Sequence, residues 1–186
     1  MRIVTQPVQA EEIIKKSRFI GLLYPCATEL DAKRLLARQY QTWPDASHIV
    51  YAYRIQTDKG LVCRFNDAGE PSGTAGKPVF QHLEGKQLIN ALLIVVRYFG
   101  GIKLGTGGLT RAYGNAARKV IEQAGIIDYM PMVEVTLTLD YRQLQSLEYQ
   151  LKQLGGTMIN QQFGEKVACR VCVPEEQQEK LCELFQ

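Results

Sequence analysis

The chain has 186 residues, 46% of them apolar and 22% charged, with a formal net charge of +3. That balance excludes a disordered chain, a collagen-like fibre and a long coiled coil. The absence of a run of about 18 apolar residues excludes a helical membrane span, and the length fits one large domain or two small ones.

The opening Met1-Arg2-Ile3-Val4 soon turns polar and carries neither a signal-peptide core nor an Arg/Ser-rich transit pattern, so a cytoplasmic protein is expected. Five cysteines, Cys26, Cys63, Cys169, Cys172 and Cys182, are odd in number and widely scattered, which favours reduced thiols over a disulfide framework.

In chain order, Gln9–Ile14 and Arg18–Tyr24 read as two strands joined near Lys15-Lys16-Ser17. Thr28 followed by Asp31 forms a capping box, and Leu30, Leu35 and Leu36 at helical spacing predict a helix to about Tyr40. Trp43-Pro44-Asp45 ends it. His48–Gln56 is a strand with alternating aromatics, turned at Asp58-Lys59-Gly60 into Leu61–Phe65. A long loop rich in turn residues runs from Asn66 to Pro78, and Pro78 fits the first turn of a short helix ending near Gly85. Ala91–Phe99 is a buried strand, Gly100–Gly108 a second glycine-rich loop, and Leu109–Ala124 a helix stopped by Gly125.

After Asp128-Tyr129-Met130-Pro131 the glycine loops stop. Strand Val133–Leu139, helix Arg142–Leu154, the hairpin Met158–Phe163 with Lys166–Val173, and helix Glu175–Phe185 after Pro174 give β-α-β-β-α. That is a ferredoxin-like arrangement without its last strand. The domain boundary is placed near residue 130, giving units 1–130 and 131–186.

The chemistry concentrates in the two loops. From Val95 to Lys119 there are Arg97, Lys103, Arg111, Arg118 and Lys119 and no carboxylate, whereas Glu175, Glu176, Glu179 and Glu183 crowd the C-terminal stretch. Glycines 100, 101, 105, 107 and 108 sit between a strand end and a helix start, where backbone amides and the helix dipole form an anion nest. A tight crossover whose glycines merely allow close packing is the other reading. Tyr51, Tyr53, Tyr98, Phe99 and Tyr113 lie near the basic residues, either as core or as stacking faces for single-stranded RNA, and Tyr98 and Tyr113, beside Arg97 and Arg111, are the better stacking candidates.

Familiar nucleotide fingerprints do not fit. A Walker loop at Gly73-Thr74-Ala75-Gly76-Lys77 would need Gly at 71 and Ser or Thr at 78, where prolines stand, and a dinucleotide fingerprint from Gly105 would need Gly at 110, where Thr110 stands. Ser72 or Thr74 with His48 and Asp67 could be drawn as a hydrolase triad, but no nucleophile elbow surrounds them. Asp67 reads as a turn cap and Glu70 as a solvated carboxylate, with acid–base or Mg²⁺ roles as the alternative. Cys169 and Cys172 fall within one strand on opposite faces, so no metal site is expected.

Three blocks are longer and more specific than any of these motifs. Lys16-Ser17-Arg18-Phe19-Ile20 with Ala46-Ser47-His48 and Tyr51-Ala52-Tyr53-Arg54 is the first. The second is Asp67-Ala68-Gly69-Glu70-Pro71-Ser72-Gly73-Thr74-Ala75-Gly76-Lys77-Pro78. The third runs from Val95 to Tyr113 through Arg97-Tyr98-Phe99-Gly100-Gly101-Ile102-Lys103-Leu104-Gly105-Thr106-Gly107-Gly108. Together they resemble the IMPACT/YigZ family. The resemblance implies an α+β protein: a ribosomal protein S5 domain 2-like unit over residues 1–130, then a ferredoxin-like unit similar to the last domain of elongation factor G. Bacterial relatives usually continue past the final helix into another strand, so an open sheet edge is expected here. Eukaryotic members are linked to translational control through an additional N-terminal domain, which this chain is not expected to carry.

The expected function is therefore a translation-associated regulatory protein binding RNA or the ribosome, without a cofactor. Arg97, Lys103 and Arg111 would meet phosphates, and the C-terminal unit offers a surface for a protein partner. An enzyme acting on a phosphorylated small molecule or nucleotide is the alternative, since small-molecule kinases use the same S5-like fold.

Overall fold

The computed structural model describes residues 1–185 and divides into two compact units, Met1–Tyr129 and Met130–Gln186. The first is built on strands β2 (Val8–Ile14), β3 (Ser17–Pro25), β4 (His48–Thr57), β5 (Gly60–Asn66) and β6 (Ala91–Tyr98). They form one antiparallel sheet in the order β2-β3-β6-β4-β5. Helices α1 (Glu29–Thr42), α2 (Gly76–Gly85) and α3 (Thr106–Glu122) cover it.

The central strand β6 explains the layering. Its run Ala-Leu-Leu-Ile-Val-Val is wholly buried because both faces are covered. Leu93 and Val95 join a core with Phe19, Val79, Leu83, Tyr113 and Val120, under α2 and α3. Leu92, Ile94 and Val96 join a second core with Ala32 and Leu36 of α1. Alternation along a strand assigns the parity, and Arg97 falls on the α2/α3 side.

Local signals set the helix ends. The Thr28 hydroxyl accepts a 3.1 Å hydrogen bond from the Asp31 amide and starts α1, as the capping pattern predicts. α3 begins at Thr106, three residues before the expected Leu109, because leucine spacing marks where burial starts rather than where the helix does. Two short strands escaped sequence reading, β1 (Arg2–Val4) and β7 (Ile126–Asp128), which pair antiparallel. At three residues each they are too short to show a period.

The second unit has β8 (Met132–Leu139), α4 (Leu144–Leu154), β9 (Thr157–Phe163), β10 (Val167–Pro174) and α5 (Gln178–Phe185), with the sheet in the order β8-β10-β9. Single 3₁₀ turns at Tyr141–Gln143 and Glu175–Gln177 lead into the helices. Val135, Leu137, Val171 and Val173 pack with Leu147, Leu151 and Leu181 to form its core.

Candidate functional site

Register places the first elements of the site. On adjacent strands, Phe19 of β3 and His48 of β4 both pair with Arg97 of β6. The three side chains thus form one row across the sheet, at the end of the central strand. Arg97 is nearly buried, with its guanidinium 5.5 Å from the Phe19 ring centroid and 5.5 Å from that of Phe99.

The loop between β5 and α2 supplies the counter-charge. Asp67 holds it in shape: its carboxylate accepts from the amides of Gly73 (2.9 Å), Ala75 (3.0 Å) and Gly76 (2.8 Å). Burial opposes the charge, but those three amide bonds prevail and keep the Asp67 carboxyl below the usual range. Thr74 Oγ1 donates to the Pro71 carbonyl at 2.6 Å and tightens the same turn. The loop thereby drives Glu70 inward. Its Oε1 accepts from Arg97 Nη1 at 2.6 Å and from the Tyr113 hydroxyl at 2.7 Å, all three groups being buried. Tyr113 meets Phe19 edge-on at 5.3 Å. Burial first, then the Glu70 carboxylate, drives the Tyr113 hydroxyl well above the ordinary phenol range, so it acts as a fixed donor. Ser17 Oγ accepts from the Gly100 amide at 3.2 Å and completes the surround.

His48 faces the same carboxylate. Its Nδ1 lies 2.9 Å from the Ala68 carbonyl, which assigns a proton to Nδ1, and its Nε2 lies 3.7 Å from Glu70 Oε1.

Above this floor opens a cleft of about 370 Å³, lined by His48, Glu70, Pro71, Arg97, Phe99 and the segment Lys103–Thr106 with Leu109. The N-terminus of α3 forms one wall. Gly105 precedes it at φ 73°, a left-handed conformation that favours glycine, and no side chain caps the helix. The first intrahelical bond runs from the Leu109 amide to the Gly105 carbonyl, so the preceding turn keeps its amides for other partners. A second hollow of about 210 Å³ lies on the far side of Leu104, lined by Lys15, Gly108 and Arg111. Gly100 is required by contact: a Cβ there would run into the Lys16 backbone, which lies directly against it.

This geometry corrects several expectations. Tyr113 is fully buried and cannot stack on a base. Tyr98 is half-buried with the Arg18 guanidinium 5.8 Å from its ring centroid, and does not line the cleft. Arg97 is no free phosphate cation, because Glu70 occupies it; Glu70 in turn is buried rather than solvated. Lys103 and Arg111 are exposed but open onto different hollows. Gly101 is exposed beside Phe99 and Ile102, and Gly107 is exposed in the first turn of α3 rather than in a loop. Ser72 and Gly73 lie at the exposed tip of the first loop, and Lys77 is exposed on α2, outside the cleft lining. A triad through Asp67 is closed off, since its carboxylate serves the loop amides and His48 turns to a carbonyl instead. Of the aromatics near the basic residues, the exposed one that lines the cleft is Phe99 rather than Tyr98 or Tyr113.

Comparison with known proteins fits this picture. The Impact N-terminal domain matches residues 15–121 and a domain of unknown function (DUF1949) matches residues 137–186. The chain is 39% identical to the IMPACT family member YigZ of Escherichia coli, over 92% of this chain and 85% of that protein. It is 34% identical to the IMPACT family member YvyE of Bacillus subtilis, over 94% and 80%. A crystal structure described as that of a hypothetical protein superposes with a TM-score of 0.73 at 37% identity, covering 98% of this chain and 90% of the other. Fold and site thus define an α+β protein with an Impact N-terminal unit on a five-stranded sheet, a small C-terminal unit on a three-stranded sheet, and a buried carboxylate–guanidinium pair beside a glycine-rich helix start. The chain belongs to the IMPACT family.

Proposed function

We propose that this protein is a translation-associated regulatory protein that docks on RNA or the ribosome through the face around Leu104. The observation that carries the reading is the set of exposed cations there. Lys15, Lys16, Lys103 and Arg111 surround the Gly100–Gly108 segment, and the one carboxylate lining the adjacent hollows, Glu70, is already paired with Arg97. Phosphate contacts through lysine and arginine supply sequence-independent affinity, and an exposed aromatic such as Phe99 gives a base a stacking surface. The translational setting is inferred from the family.

Cosedimentation with ribosomes and titration with single-stranded RNA test it. With four cations engaged, affinity should fall roughly fiftyfold between about 50 and 200 mM salt. Replacing Lys103 and Arg111 with glutamine should weaken binding at least about tenfold and flatten the salt dependence. Affinity that is flat with salt, or unchanged in that variant, refutes the reading.

A further inference from the structure

The cleft itself has the dimensions and chemistry of a small-molecule site rather than of a backbone groove. Its volume of about 370 Å³ lies within the range of roughly 300–1,000 Å³ typical of ligand pockets. Its lining is of two kinds. Phe99, Leu104, Leu109 and Pro71 supply flat and apolar walls. The same lining includes the uncapped start of α3 at Gly105 and Thr106 and the exposed Lys103. Arg97 lines the same cavity with its side chain only 5% exposed, and its Nε has no hydrogen-bond partner among the described residues. A buried N–H donor without an acceptor is costly, and an anionic oxygen bound against Arg97 would supply one. The helix start and the free ammonium therefore favour negative charge in a largely apolar pocket, and Arg97, whose charge Glu70 already meets, adds one unpartnered N–H donor.

We propose that the cleft binds a nucleoside 5′-monophosphate unit, its phosphate at the N-terminus of α3 beside Lys103 and its base against Phe99. The unit is either a free mononucleotide or the 5′-terminal nucleotide of an RNA strand. The proposal rests on the reading that this face meets a phosphate-bearing partner, and adds that one nucleotide enters the pocket. His48, turned by its Nδ1–H bond to the Ala68 carbonyl, lines the cleft and offers Nε2 as a further polar contact to the bound unit.

Isothermal titration of the full chain with adenosine 5′-monophosphate, adenosine and inorganic phosphate tests the pocket. The monophosphate should bind at least about tenfold more tightly than either fragment. Phe99→Ala and Lys103→Gln change exposed positions and replace neither member of the Glu70–Arg97 pair, and Lys103→Gln also keeps the Phe99 ring beside Arg97; each should weaken the monophosphate at least about fivefold. A 5′-phosphorylated RNA oligonucleotide and its 5′-hydroxyl twin separate the two sources. Preference for the phosphorylated strand, with displacement by the mononucleotide, assigns the strand terminus; mononucleotide binding without such preference assigns the free nucleotide. No binding of the monophosphate at millimolar concentration, binding equal to that of adenosine, or binding unchanged in both variants overturns the proposal. If RNA still binds with steep salt dependence in that event, the docking surface stands and only the pocket assignment falls. If the mononucleotide binds and RNA does not, the reverse holds.

Discussion

Replacing Glu70 with alanine should be among the most destabilising single changes in the first unit. Glu70 Oε1 accepts from both Arg97 and Tyr113, and all three side chains are buried. The substitution leaves the Arg97 charge without its counter-ion, and breaking one partner of a buried pair costs about 3–5 kcal/mol. The Tyr113 hydroxyl, shut in between α3 and the sheet, loses its acceptor and adds about 1–3 kcal/mol. Water entering from the cleft recovers part of the total, so about 3–5 kcal/mol is the expected loss. The one tryptophan, Trp43, lies in this unit, so its fluorescence during urea denaturation follows the unit selectively. The double variant Glu70→Gln with Arg97→Met removes both charges and should recover most of the loss, because the expensive state is the unpaired charge. A loss under about 1 kcal/mol for Glu70→Ala, or a double variant as unstable as the single one, would show that the pair is screened by solvent and refute the reasoning.

Tyr113→Phe removes one hydrogen bond and keeps the edge-on contact with Phe19, so a loss of about 1 kcal/mol is expected by the same denaturation assay. Asp67 has a depressed carboxyl, so its contribution is fully present above the unfolded value of about 3.9 and disappears as pH falls through the lower folded value. Asp67→Asn should therefore cost about 1.5–3 kcal/mol at neutral pH and flatten the acid limb of the stability profile, read by urea midpoints at stepped pH. Burial raises the Cys26 thiol to about 11, whereas Cys63 is exposed on β5; an aromatic disulfide reagent at neutral pH should modify Cys63 rapidly and Cys26 only on unfolding, followed by peptide mapping.

Much of the architecture is legible in the chain because its strongest signals are local. The unbroken apolar run of β6 announces a strand covered on both faces, and Thr28 with Asp31 announces the start of α1. The site is harder to read, since its defining contact joins Arg97 to a carboxylate 27 positions earlier, and nothing in the spacing pairs them. An acid-free segment therefore looks like a row of free cations when one member is already neutralised. Strand parity carried the missing clue: Arg97 shares its side of the sheet with Leu93 and Val95, which points it into the core. The same limit applies to Tyr113, whose helical phase with Leu109, Ala116 and Val120 marks it as buried rather than available for stacking.

The floor of the cleft draws on separate stretches of chain, with Ser17, His48, Glu70, Arg97 and Tyr113 arriving from different elements. No fragment ending before Tyr113 contains it. During synthesis the charged pair stays in water until α3 has emerged and docked, and ligand competence then arises together with the closed core. Capture of the proposed ligand would thus report that the five-stranded sheet and α3 have docked.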